Sequence, residues 1–162
     1  MRIGKPKAVI CDIDGCLLDS QGVLEEAEAN TTNSNDKWRY FEKYANDRNK
    51  VAFNYVLGNM LNDMRNNGYK IIFSTARSEA IKIATKIRLK AELGFMGDLY
   101  MRPLDNFDSS ADVKAMHLKT IKNYYDVRMA IDDDESNIKM FSESGLRTIK
   151  YTIKKKGGKN GA

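Results

Sequence analysis

Two groups of aspartates stand directly behind short apolar runs of the sequence. Asp12 and Asp14 follow residues 7–11, and three consecutive aspartates, residues 132–134, follow residues 127–131. Short apolar runs of this kind are typical of strands buried on both faces. Because ligands bind beyond the carboxyl ends of parallel strands, we expect both groups in one crevice. Carboxylates so close raise one another's pKa unless a cation lies among them, and Mg²⁺ prefers such oxygen ligands.

Asp12 and Asp14 have the residue type and spacing needed for phosphoryl transfer. A carboxylate can attack phosphorus and form an aspartyl phosphate, which is the role we expect of Asp12. Asp14 lies two residues further on, where side chains of an extended segment return to the same side. From there it can protonate a leaving oxygen and later deprotonate a water molecule. Gly15 allows a sharp turn that brings backbone N–H groups near an anion.

Thr75 and Lys114 add a hydroxyl and an ammonium group to this set. Thr75 ends a second apolar run and can donate a hydrogen bond to a phosphoryl oxygen, while Lys114 can neutralise its charge. Each feature alone has a plainer explanation: Thr75 as a strand-end hydroxyl, Lys114 as a surface lysine, residues 132–134 as a helix N-cap. Their order along the chain, each beside an expected strand exit, favours one shared phosphohydrolase site.

Apolar runs and segments of helical period alternate along the chain. The runs are residues 7–12, 69–75, 98–101, 127–132 and 146–152, and the helical segments are residues 51–67, 78–93, 112–125 and 135–144. Strands alternating with helices predict an α/β fold with a parallel sheet covered by helices. In residues 78–93 the expected buried stripe is Ile81, Ala84, Ile87 and Ala91.

Residues 21–37 interrupt the alternation. They are polar, and we expect a loop or flap with an aromatic stretch, residues 38–44, behind it. The aromatic side chains of that stretch can stack nucleic-acid bases, or they can pack the flap onto the body through the 38/41 and 40/44 pairs.

Length and charge limit the remaining possibilities. The 162 residues suit one domain, residues 1–152, followed by a basic flexible tail, residues 153–162. Five lysines and no acid occur from Lys150 onward, so the net charge of +5 belongs to that end. The single histidine, His117, excludes a histidine-ligated zinc site. The sequence has no leader-like segment and no long apolar run, so we expect a cytoplasmic protein without a membrane span. We assign no redox role to Cys11 or Cys16.

These motifs resemble those of the haloacid dehalogenase (HAD) superfamily. Asp12 and Asp14 match its first motif, Thr75 its second, Lys114 its third, and residues 132–133 its fourth. More narrowly, the sequence is similar to the 3'-phosphatase domain of phage polynucleotide kinases. The strings that carry this similarity are KAVICDIDG, STAR ending at Arg77, MRP around Arg102, DVK ending at Lys114, and AIDD. No GxxxxGK[ST] motif accompanies them, so no kinase activity is expected.

The resemblance implies a Rossmannoid three-layer sandwich with a five-stranded parallel sheet and no large cap domain, residues 21–44 forming at most a mini-cap. It implies Asp12 as nucleophile and Asp14 as acid and base, assisted by Thr75 and Lys114. Mg²⁺ would be bound by Asp12, Asp14, Asp132 and Asp133. The substrate would be contacted by Gly15, Ala76, Arg77 and Arg102.

The activity expected from this resemblance is a Mg²⁺-dependent phosphomonoesterase acting on the 3'-phosphate of a nucleic-acid end. Two alternatives stay open: a phosphatase of nucleoside monophosphates, and a non-catalytic module that binds phosphorylated ends. Asp14 argues against the second alternative, because a binding module does not need an acid–base group. The oligomeric state is not predicted.

Overall fold

The computed structural model describes residues 3–153 of the chain. The strands are β1 (Lys7–Cys11), β2 (Leu18–Asp19), β3 (Ala52–Phe53), β4 (Lys70–Ser78), β5 (Asp98–Arg102), β6 (Asp126–Asp132) and β7 (Arg147–Lys150). The α-helices are α1 (Gln21–Asn30), α2 (Ser34–Tyr44), α3 (Tyr55–Asn66), α4 (Lys82–Leu93), α5 (Ser110–Tyr124) and α6 (Glu135–Glu143). No helix within these residues is both long and apolar enough to cross a membrane.

Five strands form a parallel sheet in the order β5-β4-β1-β6-β7. Strand β1 lies at its centre, and residues 8–11 are at most 2% exposed. Val9 and Cys11 face one core cluster, whereas Ala8 and Ile10 face the other. A strand buried on both faces has no polar side, which is why this segment of the sequence reads as a continuous apolar run.

Helices cover both faces of the sheet and complete a three-layer α/β sandwich, which confirms the predicted fold class. Side chains of α3 and α4 fill the first core, and side chains of α5 and α6 fill the second. The first set includes Leu57, Leu61 and Leu89, and the second includes Leu118, Ile121 and Phe141.

The strand order creates a switch point at the carboxyl end of β1. The chain runs from β1 outward through β4 to β5, then returns to the other side of β1 with β6 and continues to β7. Where connections diverge in this way, a crevice opens at the carboxyl edge of the sheet. The residues that follow β1, β4 and β6 therefore meet there.

Residues 21–37 form helices and not the loop that their polarity predicts. Helix α1 occupies residues 21–30, and the side chain of Asn33 caps α2 by accepting a hydrogen bond from Asp36 N–H. Only Val23 and Ala27 of α1 are buried, so its sequence carries little apolar periodicity. Packing of α1 against α2 supplies the stabilisation that helix propensity alone does not.

Two further predictions about helices are wrong. Residues 52–53 pair as a strand with Leu18–Asp19, so the helix expected from residue 51 begins at Tyr55. The buried residues of α4 are Thr85, Arg88, Leu89 and Leu93, so the expected buried stripe of residues 81, 84, 87 and 91 is wrong. Ile87, a member of that stripe, is 66% exposed. The predicted tail lies almost wholly outside the described residues.

Candidate active site

Asp12 and Asp132 lie at the carboxyl ends of the adjacent strands β1 and β6, with Lys114 of α5 between them. Lys114 Nζ is 2.9 Å from Asp12 Oδ1 and 2.6 Å from Asp132 Oδ2, and the lysine side chain is only 2% exposed. Burial alone would lower the pKa of Lys114, but the two carboxylates outweigh burial and hold that pKa above its ordinary value. Lys114 therefore stays protonated and offsets part of the carboxylate charge.

The contacts of Asp12 distinguish its two oxygens. Oδ1 accepts a hydrogen bond from Ile13 N–H at 2.8 Å and also contacts Lys114, whereas Oδ2 accepts no hydrogen bond from an N–H or ammonium group within residues 3–153. Burial raises the pKa of the Asp12 carboxyl well above its usual range; Lys114 opposes this effect and the charge of Asp132 adds to it. Asp12 Oδ2 is thus the oxygen with capacity for a further partner.

Asp133 brings another carboxylate to Asp12. Oxygen atoms of Asp12 and Asp133 and the Sγ of Cys16 lie within 4.8 Å of one another. Gly15 makes room for Asp133: its φ is +76°, and a Cβ built there would meet Asp133 Oδ2 at 2.1 Å. Gly15 is expected to contact the substrate, and the position of Asp133 is a second reason for a glycine here.

The chemistry of this cluster fits a hard divalent cation. Burial raises the pKa of Asp133, as it does that of Asp12, so the charge of Lys114 only partly offsets the two neighbouring carboxyl groups. Burial also raises the pKa of the Cys16 thiol far above its usual range, so Cys16 stays a thiol and is a poor metal ligand. Oxygen donors without an ionised thiol suit Mg²⁺.

Helix α6 holds Asp132 in place. Asp132 Oδ1 accepts hydrogen bonds from Asp134 N–H at 3.0 Å and from Asn137 Nδ2 at 3.1 Å. Asp134 itself caps α6, so the N-cap interpretation applies to Asp134, while Asp132 faces Lys114. Asn137 was not predicted; its only sequence signal is its position in the first turn of the helix that follows the aspartates.

Asp14 lies in a network of its own with Arg77, which follows Thr75 at the end of β4. Arg77 Nε donates to Asp14 Oδ2 at 2.8 Å and Nη2 donates to Oδ1 at 2.7 Å, while Ser20 Oγ donates to Oδ1 at 2.6 Å. Burial alone would raise the pKa of Asp14, but Arg77 and Ser20 outweigh it and hold that pKa below its usual value. The carboxylate form of Asp14 is therefore favoured.

The remaining donors of Arg77 also stay within the protein. Nη1 donates to Asn46 Oδ1 at 2.7 Å and Thr85 Oγ1 at 3.4 Å, and Nη2 donates to the carbonyl of Ala45 at 3.1 Å. Its side chain is 1% exposed. These contacts do not favour the predicted role of Arg77 as a substrate ligand, and nothing in the sequence marks Asn46 or Thr85 as its partners.

Thr75, Ala76 and Arg102 connect β4 to the loop after β5. Thr75 is buried, and its Oγ1 accepts a hydrogen bond from Arg77 N–H at 3.1 Å. Arg102 Nε donates to the carbonyl of Ala76 at 3.1 Å, and Arg102 Nη1 donates to the carbonyl of Asp108 at 2.6 Å. Arg102 thus ties this loop to the strand end that carries Thr75, and its expected substrate contact stays a prediction.

His117 is buried one turn beyond Lys114 on α5. Its Nε2 lies 2.9 Å from the carbonyl of Met101, which can only accept, so Nε2 carries the proton. Nδ1 then accepts from Ser74 Oγ at 2.8 Å. Burial lowers the pKa of His117, in agreement with a neutral ring. This chain of contacts fixes α5, and with it Lys114, against β4 and β5.

The sequence matches the model of one known protein family over almost its whole length. The model of the family described as HAD superfamily, subfamily IIIB (acid phosphatase), matches residues 1–152. The chain belongs to this HAD subfamily. It is accordingly a phosphatase, a hydrolase of phosphoric monoesters, and HAD phosphatases generally use Mg²⁺. The resemblance noted in the sequence is confirmed.

Solved structures place the chain among HAD folds. It is 25% identical to a chain of the Pnkp1/Rnl/Hen1 RNA repair complex, with a TM-score of 0.69 over 91% of this chain and 42% of that one. A chain of another Pnkp1/Rnl/Hen1 complex gives 24% identity and a TM-score of 0.68, over 91% and 46%. The protein thus spans less than half of either chain.

A predicted phosphatase from Clostridium acetobutylicum matches with 15% identity and a TM-score of 0.65, over 90% of this chain and 84% of that one. Its identity is low, so this likeness concerns the fold. No curated protein matches the sequence.

Proposed function

We propose that this HAD phosphatase removes the 3'-phosphate from nucleic-acid ends, through an aspartyl phosphate on Asp12 and with Mg²⁺ as cofactor. The observation that carries the proposal is the position of Asp12: buried at the switch point, fixed through Oδ1 by Ile13 N–H and Lys114, and with a carboxyl oxygen within 4.8 Å of one of Asp133. A fixed carboxylate with one uncommitted oxygen suits nucleophilic attack.

In the first half of the proposed reaction, Asp12 Oδ2 bonds to phosphorus while the ester P–O bond breaks. Asp14 gives a proton to the leaving oxygen. Lys114 and Thr75 contact the phosphoryl oxygens, where negative charge is concentrated. Held by Asp12, Asp132, Asp133 and the backbone carbonyl of Asp14, Mg²⁺ would supply the positive charge that offsets these carboxylates and the phosphate.

In the second half, Asp14 takes a proton from a water molecule that attacks phosphorus. The bond between phosphorus and Asp12 then breaks, which releases inorganic phosphate and restores both carboxyl groups. Asp14 thus has to act once as an acid and once as a base. A lowered pKa, as Arg77 imposes on Asp14, favours the carboxylate, which is the form that takes the proton from water in this second half.

Two observations support a bulky substrate. Apart from the core helix α3, the segment between Asp14 and Thr75 adds α1, α2 and the short strands β2 and β3. We propose that residues 21–44 act as a mini-cap on a single domain of residues 1–152. A small cap leaves the crevice open to a polymer end. The second observation is the likeness to a chain of an RNA repair complex, at 25% identity. We therefore propose a role in nucleic-acid repair.

The aromatic side chains of α2 favour packing over base stacking. The ring centroids of Trp38 and Phe41 are 5.9 Å apart and those of Tyr40 and Tyr44 are 4.8 Å apart. Both pairs lie within α2, and it is Phe41, buried in the first core, and Tyr44, packed against it, that hold the helix to the body. Trp38 is 49% exposed and is the most exposed of these four rings, so it offers the most surface to a base.

A substrate panel tests the proposal. Oligonucleotides with a 3'-phosphate, oligonucleotides with a 5'-phosphate and nucleoside monophosphates are each incubated with enzyme and Mg²⁺, with EDTA and with Asp12→Asn as controls. We expect the largest kcat/KM for the 3'-phosphorylated ends. Mononucleotides preferred by orders of magnitude would make the chain a nucleotide phosphatase, and binding without turnover of any ester would make it a non-catalytic module.

A further inference from the structure

Arg77 is the most completely engaged side chain near the candidate site. Its three nitrogens make five hydrogen bonds, two of them to Asp14 and three to the segment after α2 and to α4. Five is also the number of N–H donors on a guanidinium group. A side chain fixed in this way is a rigid support for whatever it contacts.

The contacts of Asp14 leave one acceptor position open. Oδ1 accepts twice, from Ser20 Oγ and from Arg77 Nη2, whereas Oδ2 accepts once, from Arg77 Nε. Each carboxylate oxygen has two lone pairs, so the contacts within residues 3–153 leave the second lone pair of Oδ2 without a donor. The Asp14 side chain is 28% exposed, so the carboxyl group is not closed off from solvent.

We propose that Arg77, together with Ser20, is a positioning residue that orients the Asp14 carboxyl and leaves Oδ2 as the oxygen that carries the proton in catalysis. The inference deepens the proposed function and rests on Asp14 being its acid and base. A guanidinium that contacts both oxygens fixes the plane of the carboxyl group, which a single hydrogen bond does not. A lysine at the same place would supply charge without that geometry.

Comparing kcat/KM for two esters with different leaving groups separates a residue that positions the acid from one that only supports the fold. Phenyl phosphate releases a phenol, whose pKa is about 10, so its P–O cleavage depends on a proton from the enzyme. 2,4-Dinitrophenyl phosphate releases a stable phenolate and needs no proton. Because kcat/KM covers only steps up to release of the first product, it isolates the acid step from the later hydrolysis of the aspartyl phosphate.

For Arg77→Met we expect kcat/KM to fall about 100-fold on phenyl phosphate and less than about 5-fold on 2,4-dinitrophenyl phosphate. Arg77→Lys should show a smaller loss with the same selectivity. In a double variant with Asp14→Asn, loss of Arg77 should add little on phenyl phosphate, because residues that act as a unit are not additive.

Arg88→Met is the matched control. Arg88 is a buried arginine of α4 that donates to Glu92 and to the carbonyls of Asn46 and Val51 but does not touch Asp14. Its loss should change both substrates by the same factor. If Arg77→Met does not fold, Ser20→Ala carries the test, with an expected loss of about 10-fold on phenyl phosphate for one hydrogen bond.

Equal losses on both esters, in Arg77→Met or in Ser20→Ala, would overturn the inference while the proposed function stands. The same selectivity in Arg88→Met would overturn it as well. If the unaltered protein turns over neither these esters nor 3'-phosphorylated oligonucleotides in the presence of Mg²⁺, the proposed function fails and this inference with it.

Discussion

Replacing Lys114 by methionine should destabilise the protein more than any surface change. Methionine has a similar length and no charge, so the variant leaves Asp12 and Asp132, 7% and 1% exposed in their side chains, without the cation that lies 2.9 Å and 2.6 Å from them. Removing one partner of a buried ion pair typically costs about 3–5 kcal/mol, because a buried charge stays uncompensated. We expect that loss in the free energy of unfolding at pH 8 with EDTA present.

The loss should shrink as the pH falls. Without Lys114 the pKa of Asp12 in the folded state rises further above its value in the unfolded chain, so the folded variant binds more protons than the unfolded one. Stability then decreases as the pH rises through this interval and is regained at lower pH, where Asp12 is neutral. The deficit relative to the unaltered protein should therefore be smaller at pH 5 than at pH 8.

Urea unfolding followed by circular dichroism measures both effects. Lys139→Met is the control, since Lys139 is 75% exposed and its ion pair with Glu143 should contribute less than about 0.5 kcal/mol. The reasoning is refuted if Lys114→Met costs less than about 1 kcal/mol at pH 8, or if its deficit grows as the pH falls.

Two more substitutions have defined outcomes. Gly15→Ala places a Cβ 2.1 Å from Asp133 Oδ2 and should raise the Mg²⁺ concentration for half-maximal activity about 10-fold. Gly68→Ala is the control: Gly68 has φ +90° and a Cβ there would meet no atom within 4 Å, so this variant should lower stability without changing the Mg²⁺ requirement. An unchanged Mg²⁺ requirement in Gly15→Ala would contradict the prediction. His117 has a lowered pKa, so the unfolded chain binds a proton that the folded one does not, and stability should fall as the pH drops below about 6.5. His117→Gln should be less stable than the unaltered protein at pH 7.5. In urea unfolding, its free energy of unfolding should no longer fall below about pH 6.5 in the way that His117 causes. An unchanged pH dependence would show that His117 is not the cause.

The sequence predicted those features that depend on residue type alone and not on contacts between distant segments. An apolar run such as residues 8–11 is expected to be buried, so the central strand and the aspartates behind it followed from the pattern. Lys114 could be placed near the strand exits because it begins a helix, but its position between Asp12 and Asp132 depends on how α5 packs.

Other features depend on contacts between distant segments, which the sequence pattern does not contain. The buried face of α4 carries Thr85 and Arg88 because the segment after α2 offers them hydrogen-bond partners, and this inverts the expected apolar stripe. Arg77 was expected at the substrate because it matches an arginine of the family that the sequence resembles, and no sequence signal indicates that Asp14 and Asn46 accept its donors. Helices α1 and α2 were missed because they stabilise each other with few apolar residues.

The claim that Asp12 is the nucleophile can be tested by trapping the phosphorylated enzyme. Asp14→Asn is mixed with 2,4-dinitrophenyl phosphate and Mg²⁺ and quenched in acid, and its peptides are analysed by mass spectrometry. Because this ester needs no proton to leave but water attack needs a base, the phosphoryl group should accumulate on the peptide that contains Asp12. Release of dinitrophenol with no phosphorylated peptide, or with the phosphoryl group on another residue, would contradict the mechanism.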